Sequence, residues 1–143
     1  MDIDIRLATT DDLNFIKDSW MKSIIHTYPN LYLCSLAKDQ LTNTFQRHMN
    51  NIIEKSFIQV AHLKDDMNEI ISYIIYQGWQ QKQIVHFAYT KSDARHKDIM
   101  NKLIKETNPN RFPIIFTCPA KNEHIMKHFA NKYTYDPTIL SII

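Results

Sequence analysis

The chain has 143 residues, 44% apolar and 22% charged, with a net charge of +2, which suits one globular domain with a sizeable core and excludes a disordered or fibrous protein. It contains one glycine, Gly78, where average usage of about 7% would give roughly ten, and that excludes glycine-rich phosphate sites such as the P-loop or the dinucleotide fingerprint. The 17 Lys and Arg residues are scattered singly or in pairs, so no phosphate-tracking stripe asks for a nucleic acid, and no apolar run is long enough to span a membrane.

Ile3, Ile5 and Leu7 alternate with Asp4 and Arg6, as a short half-buried strand does. Thr9 followed by Asp12 makes a capping-box start, and Leu13, Ile16, Trp20 and Ile24 then share one helical face through about His26. Tyr28-Pro29-Asn30 marks a break. A second helix is expected over residues 36–54, with Leu41, Phe45, Met49 and Ile52 forming its apolar stripe. Three strands follow over residues 57–63, 69–76 and 84–89, rich in Ile, Val, Tyr and Phe. Gly78 is placed in the hairpin turn between the last two, where positive φ is needed. A helix over residues 98–106, a short buried strand at residues 114–117 and a helix over residues 120–131 come next. The tail reads as two strand pieces broken at Pro137. This order predicts one α/β domain over residues 1–143, with a mixed, mostly antiparallel central sheet, about four flanking helices and one crossover near residues 84–118. An acidic N-terminus without an apolar segment, and two lone cysteines, Cys34 and Cys118, point to a reduced, cytoplasmic protein.

Several segments carry a family likeness. The opening stretch from Ile5 to Leu13, the strand and loop from Ile84 to Lys91, and Arg95-His96-Lys97-Asp98-Ile99-Met100, standing where R/Q-x-x-G-x-G/A is usual, together resemble the GNAT family of N-acetyltransferases. Asn122 matches an Asn common on the following helix. The compact segment Phe15-Ile16-Lys17-Asp18-Ser19-Trp20 is similar to small GNAT-like proteins encoded by bacteriophages. The resemblance implies a GNAT-like fold with acetyl-CoA as cofactor, held by Tyr89, Thr90, Lys91, Arg95, His96, Lys97, Asp98, Ile99, Met100 and Asn122. Backbone N–H groups at the helix start would bind the pyrophosphate.

Three departures bear on that chemistry. Asp98 and Met100 stand where the family has glycine, or glycine and alanine. Two like charges about 4 Å apart repel by roughly 1 kcal/mol in water and about 4 kcal/mol at an effective dielectric near 20, and Met100 adds bulk. As the helix N-cap, Asp98 would also contribute about 1 kcal/mol and compete with a phosphate for the same N–H groups. Phe129 occupies the place, seven residues after Asn122, where the family's acidic Tyr stands, leaving Tyr133 or Tyr135 as substitutes. The fourth strand offers His86 but no carboxylate as a base for the incoming amine, and a histidine facing a sheet neighbour is the plainer reading of His86.

Other constellations are weaker. His124 and His128 lie four apart on an expected helix, but no third metal ligand has suitable spacing. Cys118 near them imitates a Cys/His nucleophile pair, although a structural thiol is the simpler account. Trp79 beside Gly78 is a candidate contact with a partner. The residues thus favour a degenerate GNAT-fold protein that binds another protein without catalysis, a host protein in the host cytoplasm if the gene is viral. The alternative is an active acetyl-CoA-dependent N-acetyltransferase acting on a small amine or on a protein Lys or N-terminus.

Overall fold

The computed structural model describes residues 2–27, 38–95, 98–118 and 133–143. The expected helix over residues 120–131, with Asn122, His124, His128 and Phe129, lies outside them, as do Tyr28, Tyr32, Cys34, His96 and Lys97. The chain forms two compact units: Met1–Leu7 with Phe57–Ile143, and Ala8–Ser56.

The smaller unit is helical. Its first turn is the capping box read from the sequence: the Thr9 N–H donates to Asp12 Oδ2 at 2.7 Å, and the Thr9 hydroxyl reaches the same oxygen at 3.2 Å. Helix α1 (Leu13–Thr27) and helix α2 (Lys38–Lys55) follow. Ile16, Trp20 and Ile24 are buried from α1, and Phe45, Met49 and Ile52 from α2, the two stripes the periodicity predicts. Trp20 meets Phe45 edge-on at 5.8 Å between ring centroids, and His48 lies against both rings. Burial there holds the His48 imidazole below its usual 6.5. The unfolded chain therefore binds a proton first as the pH falls, and the stability His48 confers is lost below about pH 6.5. His48→Gln is expected to flatten the slope of unfolding free energy against pH between about 5 and 7, measured by denaturant titration at each pH.

The larger unit is a six-stranded sheet in the order β1-β2-β3-β4-β5-β6. Its strands are β1 (Ile3–Leu7), β2 (Phe57–Leu63), β3 (Asp66–Trp79), β4 (Lys82–Thr90), β5 (Ile114–Phe116) and β6 (Tyr133–Tyr135). The first four pair antiparallel, and β4–β5 and β5–β6 pair parallel. Helix α3 (Ile99–Thr107) makes the crossover from β4 to β5 that the sequence predicts. Its Ile99, Leu103 and Ile104 pack with Ala61, Ile71, Ile74, Val85, Ile114 and Phe116 in one cluster. Ile84 and Ile115 point the other way and meet Ile139, with Trp79 and Ile143 against them.

Two expectations need correction. The tail is not two strands: after β6 it turns at Pro137 into a short 3-10 helix, Pro137–Ser141, opened by Asp136, whose carboxylate accepts from the Thr138 N–H at 3.1 Å. The β3–β4 turn is not at Gly78 either, since Gly78 and Trp79 belong to β3 and Trp79 pairs with Lys82. The turn is Gln80–Gln81, with φ of 47° and 59°, the two-residue geometry whose twist matches the flanking strands. Left-handed backbone costs a residue with a Cβ about 1–2 kcal/mol. Gln80→Asn with Gln81→Gly is therefore expected to stabilise the protein by about 1–2 kcal/mol, seen as a higher denaturant midpoint with an unchanged slope.

Candidate functional site

Strand β4 carries His86, Tyr89 and Thr90 of the sequence-predicted site, and its two edges differ. On the β3 side the pairing runs its whole length, interrupted once: Ile75 faces Phe87 and Tyr76 faces Val85, so His86 is an extra, bulged residue. On the β5 side the pairing stops at Val85 and Phe116. Residues 87–90 therefore have a strand neighbour on one side only, among the described residues.

The far end of β4 is held firmly to β3. The Ser72 hydroxyl donates to the Tyr89 carbonyl at 2.6 Å and lies 2.9 Å from Thr90 Oγ1, and the Lys91 N–H donates to the Ile71 carbonyl at 2.9 Å. Tyr89 stacks on the fully buried Tyr73 at 5.1 Å, and the Lys91 ammonium pairs with Glu69 at 2.5 Å. Beyond Lys91 a short 3-10 turn, Ser92–Ala94, leads toward α3, and the buried Ala94 and Ile99 anchor the loop on both sides. Arg95 reaches back to the Thr90 carbonyl through Nε at 3.4 Å.

Asp98 begins α3, but not as the expected side-chain cap. Its φ is 56° and ψ is 20°, left-handed, and its side chain makes no capping bond. The carboxylate instead accepts from Asn101 Nδ2 at 3.1 Å. This explains how the position dispenses with glycine: Asp is one of the few residues with a Cβ that visits this region readily. Asp98 thus holds the turn that glycine would hold and leaves the first N–H groups of α3 without a cap from its side chain. The Met100 side chain is partly buried and packs against the cluster under α3.

His86 is 2% exposed. Its Nδ1 lies 2.9 Å from Thr117 Oγ1 and its Nε2 lies 2.8 Å from Gln77 Oε1. The Gln77 carbonyl oxygen can only accept, so Nε2 carries the proton and the Thr117 hydroxyl donates to Nδ1. Neither ring nitrogen is left open to an incoming amine, the arrangement of a histidine facing its sheet neighbours. Tyr133 is the first residue of β6, and its side chain lies outside the described set. Burial pushes the Cys118 thiol up to about 11, so it is protonated near neutrality and a poor nucleophile. Trp79 is half-buried against the Ile84 cluster, with Lys82 Nζ 5.9 Å from its ring centroid. The described residues contain no group of three or more metal-ligating side chains and no helix long and apolar enough to cross a membrane.

Gln77 and Thr117, the hydrogen-bond partners of His86, are not legible from the sequence, and neither is Ser72 of β3, which holds the end of β4. The bulge at His86 leaves no local sequence signal.

The decisive comparison is with solved structures. A histone acetyltransferase HPA2 and related acetyltransferase of Corynebacterium glutamicum superposes with a TM-score of 0.67, at 14% identity, over 92% of this chain and 83% of that one. The chain carries the GNAT fold. A ribosomal-protein-alanine N-acetyltransferase of Brucella melitensis gives a TM-score of 0.57 at 14% identity, over 94% of this chain and 92% of its own. An N-acetyltransferase of Thermoplasma acidophilum, solved in complex with coenzyme A, gives 0.50 at 22% identity, covering 77% and 72%. No family model and no curated protein matches the sequence.

Proposed function

We propose that this GNAT-fold protein binds acetyl-CoA and acts as an N-acetyltransferase on a small amine or on a protein Lys or N-terminus. One observation carries the reading. Strand β4 runs past the end of its pairing with β5, through residues 87–90, toward the start of α3, where Asp98 keeps a left-handed turn without a side-chain capping bond. An extended, amide-bearing arm would lie along that stretch of β4, and a pyrophosphate suits the N-terminus of α3. On this reading the backbone of β4 and the start of α3 would hold the cofactor. Tyr89, Thr90 and Lys91 would line the arm, and Arg95 with the start of α3 would face the phosphates. Bound there, acetyl-CoA supplies an activated acetyl thioester. The chain's own part is to hold it along β4 and to keep Asp98 turned toward Asn101. Action in the cytoplasm, where thiols stay reduced, accords with this reading.

The protein-binding, non-catalytic alternative keeps one specific support: β4 contributes no carboxylate, and both nitrogens of His86 are engaged. Calorimetric titration with acetyl-CoA tests the cofactor reading. Micromolar affinity is expected, and no heat at millimolar ligand would overturn it. Binding without acetyl transfer to polyamines, free amino acids or peptide amines would favour the alternative.

A further inference from the structure

We infer that Gln77, His86 and Thr117 form a strut that fixes the point where β4 and β5 part. It thereby fixes where residues 87–90 lie, along which acetyl-CoA would be held, and in that respect it rests on the cofactor reading above. The three residues come from three places: β3, the bulge of β4 and the residue just past β5. Backbone pairing of β4 with β5 ends at Val85 and Phe116, with one more bond from the Thr117 N–H to the Val85 carbonyl at 3.1 Å. At the next residue along, the link passes to side chains, His86 Nδ1 to Thr117 Oγ1 at 2.9 Å and His86 Nε2 to Gln77 Oε1 at 2.8 Å. His86 and Thr117 are 2% and 8% exposed, so water competes little for the bond between them, while the bond to the half-buried Gln77 lies nearer the surface. A buried hydrogen-bonded chain fixes distance and direction, whereas apolar packing at the same place would tolerate sliding. The bulge turns His86 out of the ladder and makes this reach geometrically available. His86 and Thr117 are accordingly positioning residues that touch no reacting atom.

Thr117→Val removes the side-chain link between β4 and the residue just past β5 with almost no change of shape, and Thr117→Ser restores the hydroxyl. Asn108→Ala serves as a control of similar stability cost. Asn108 is buried and clamps the turn between α3 and β5, donating from Nδ2 to the Phe112 carbonyl and accepting from the Phe112 N–H, each at 2.9 Å. Amide hydrogen exchange on the ligand-free protein reads the strut directly. Thr117→Val is expected to speed exchange at residues 86–90 about tenfold or more over the rest of the sheet, and to weaken acetyl-CoA binding about tenfold. Thr117→Ser should match the wild type in both, and Asn108→Ala should leave both unchanged at residues 86–90. Exchange that rises evenly across the sheet in Thr117→Val, or an equal effect of Asn108→Ala, would overturn the strut. Localised exchange in Thr117→Val, in a protein whose wild type binds no acetyl-CoA, supports the strut and overturns the cofactor reading instead.

Discussion

Replacing His86 with alanine is expected to lower the unfolding free energy by about 3–5 kcal/mol, measured by urea titration with an unchanged slope. The deletion leaves the Gln77 carbonyl oxygen and the Thr117 hydroxyl without their ring partner beside a cavity at a 2%-exposed site. Each buried polar group that loses its partner costs about 1–3 kcal/mol, and the cavity adds to that. A domain of this size holds only about 5–15 kcal/mol in total, so the variant sits near the edge of folding. A second variant keeps the idea testable: Gln77→Met, His86→Leu and Thr117→Val together remove every polar member of the chain of hydrogen bonds. That triple variant should be more stable than His86→Ala, because replacing all partners by apolar groups leaves none unsatisfied. If His86 were instead a surface base, alanine would leave the fold intact and abolish only activity. A loss of less than about 1 kcal/mol would therefore remove the structural role assigned here.

The same residue shows what could be read in advance. Helices α1 and α2, the three long strands and the crossover through α3 each announce themselves through local periodicity, because one face of each must be apolar. Side-chain direction inside the strands was less legible. Strict alternation places Ile84, His86 and Ala88 on one face and Val85 on the other, yet Val85 and Ala88 both pack under α3. The bulge at His86 inserts one residue and shifts the parity of everything after it. The β2–β3 register shift near His62 does the same in β3, where Ile71 and Ile74, three apart, share that cluster. Nothing in the identity of His86 marks it as bulged, so its partners Gln77 and Thr117 could not be found from spacing.

Glycine scarcity was legible as composition but not as geometry. Among the described residues four other than glycine adopt positive φ, Gln80, Gln81, Asp98 and Arg111, while Gly78 does not. The chain thus makes left-handed turns with side chains present, and their local strain must be offset by neighbours. At Arg111 the Asn108 clamp on Phe112 supplies that support; at Gln80 and Gln81 the paired strands do. Placing the hairpin turn at the one glycine therefore misplaced it by two residues.

At Asp98 the charge can be separated from the backbone. Asp98→Asn keeps a side chain that tolerates left-handed φ and removes the carboxylate, and it is expected to tighten acetyl-CoA binding about tenfold by calorimetry. A pair at about 4 Å would give about 4 kcal/mol at an effective dielectric near 20 and roughly 1 kcal/mol in water, and tenfold lies between them, since Asp98 is exposed and salt screens part of the repulsion. Asp98→Gly should bind at least as well, with the turn relieved of its Cβ. Asp98→Ala should remove the charge equally but cost about 1–2 kcal/mol of stability, because alanine has no polar group to steady the left-handed conformation. Met100→Gly should not help at all. Its side chain packs on the cluster under α3, so truncation in the first turn of the helix is expected to cost about 2–3 kcal/mol without opening the loop. If Asp98→Asn binds acetyl-CoA no more tightly than the wild type, the pyrophosphate does not lie at the start of α3. If Met100→Gly binds more tightly at undiminished stability, the side chain was blocking the loop after all.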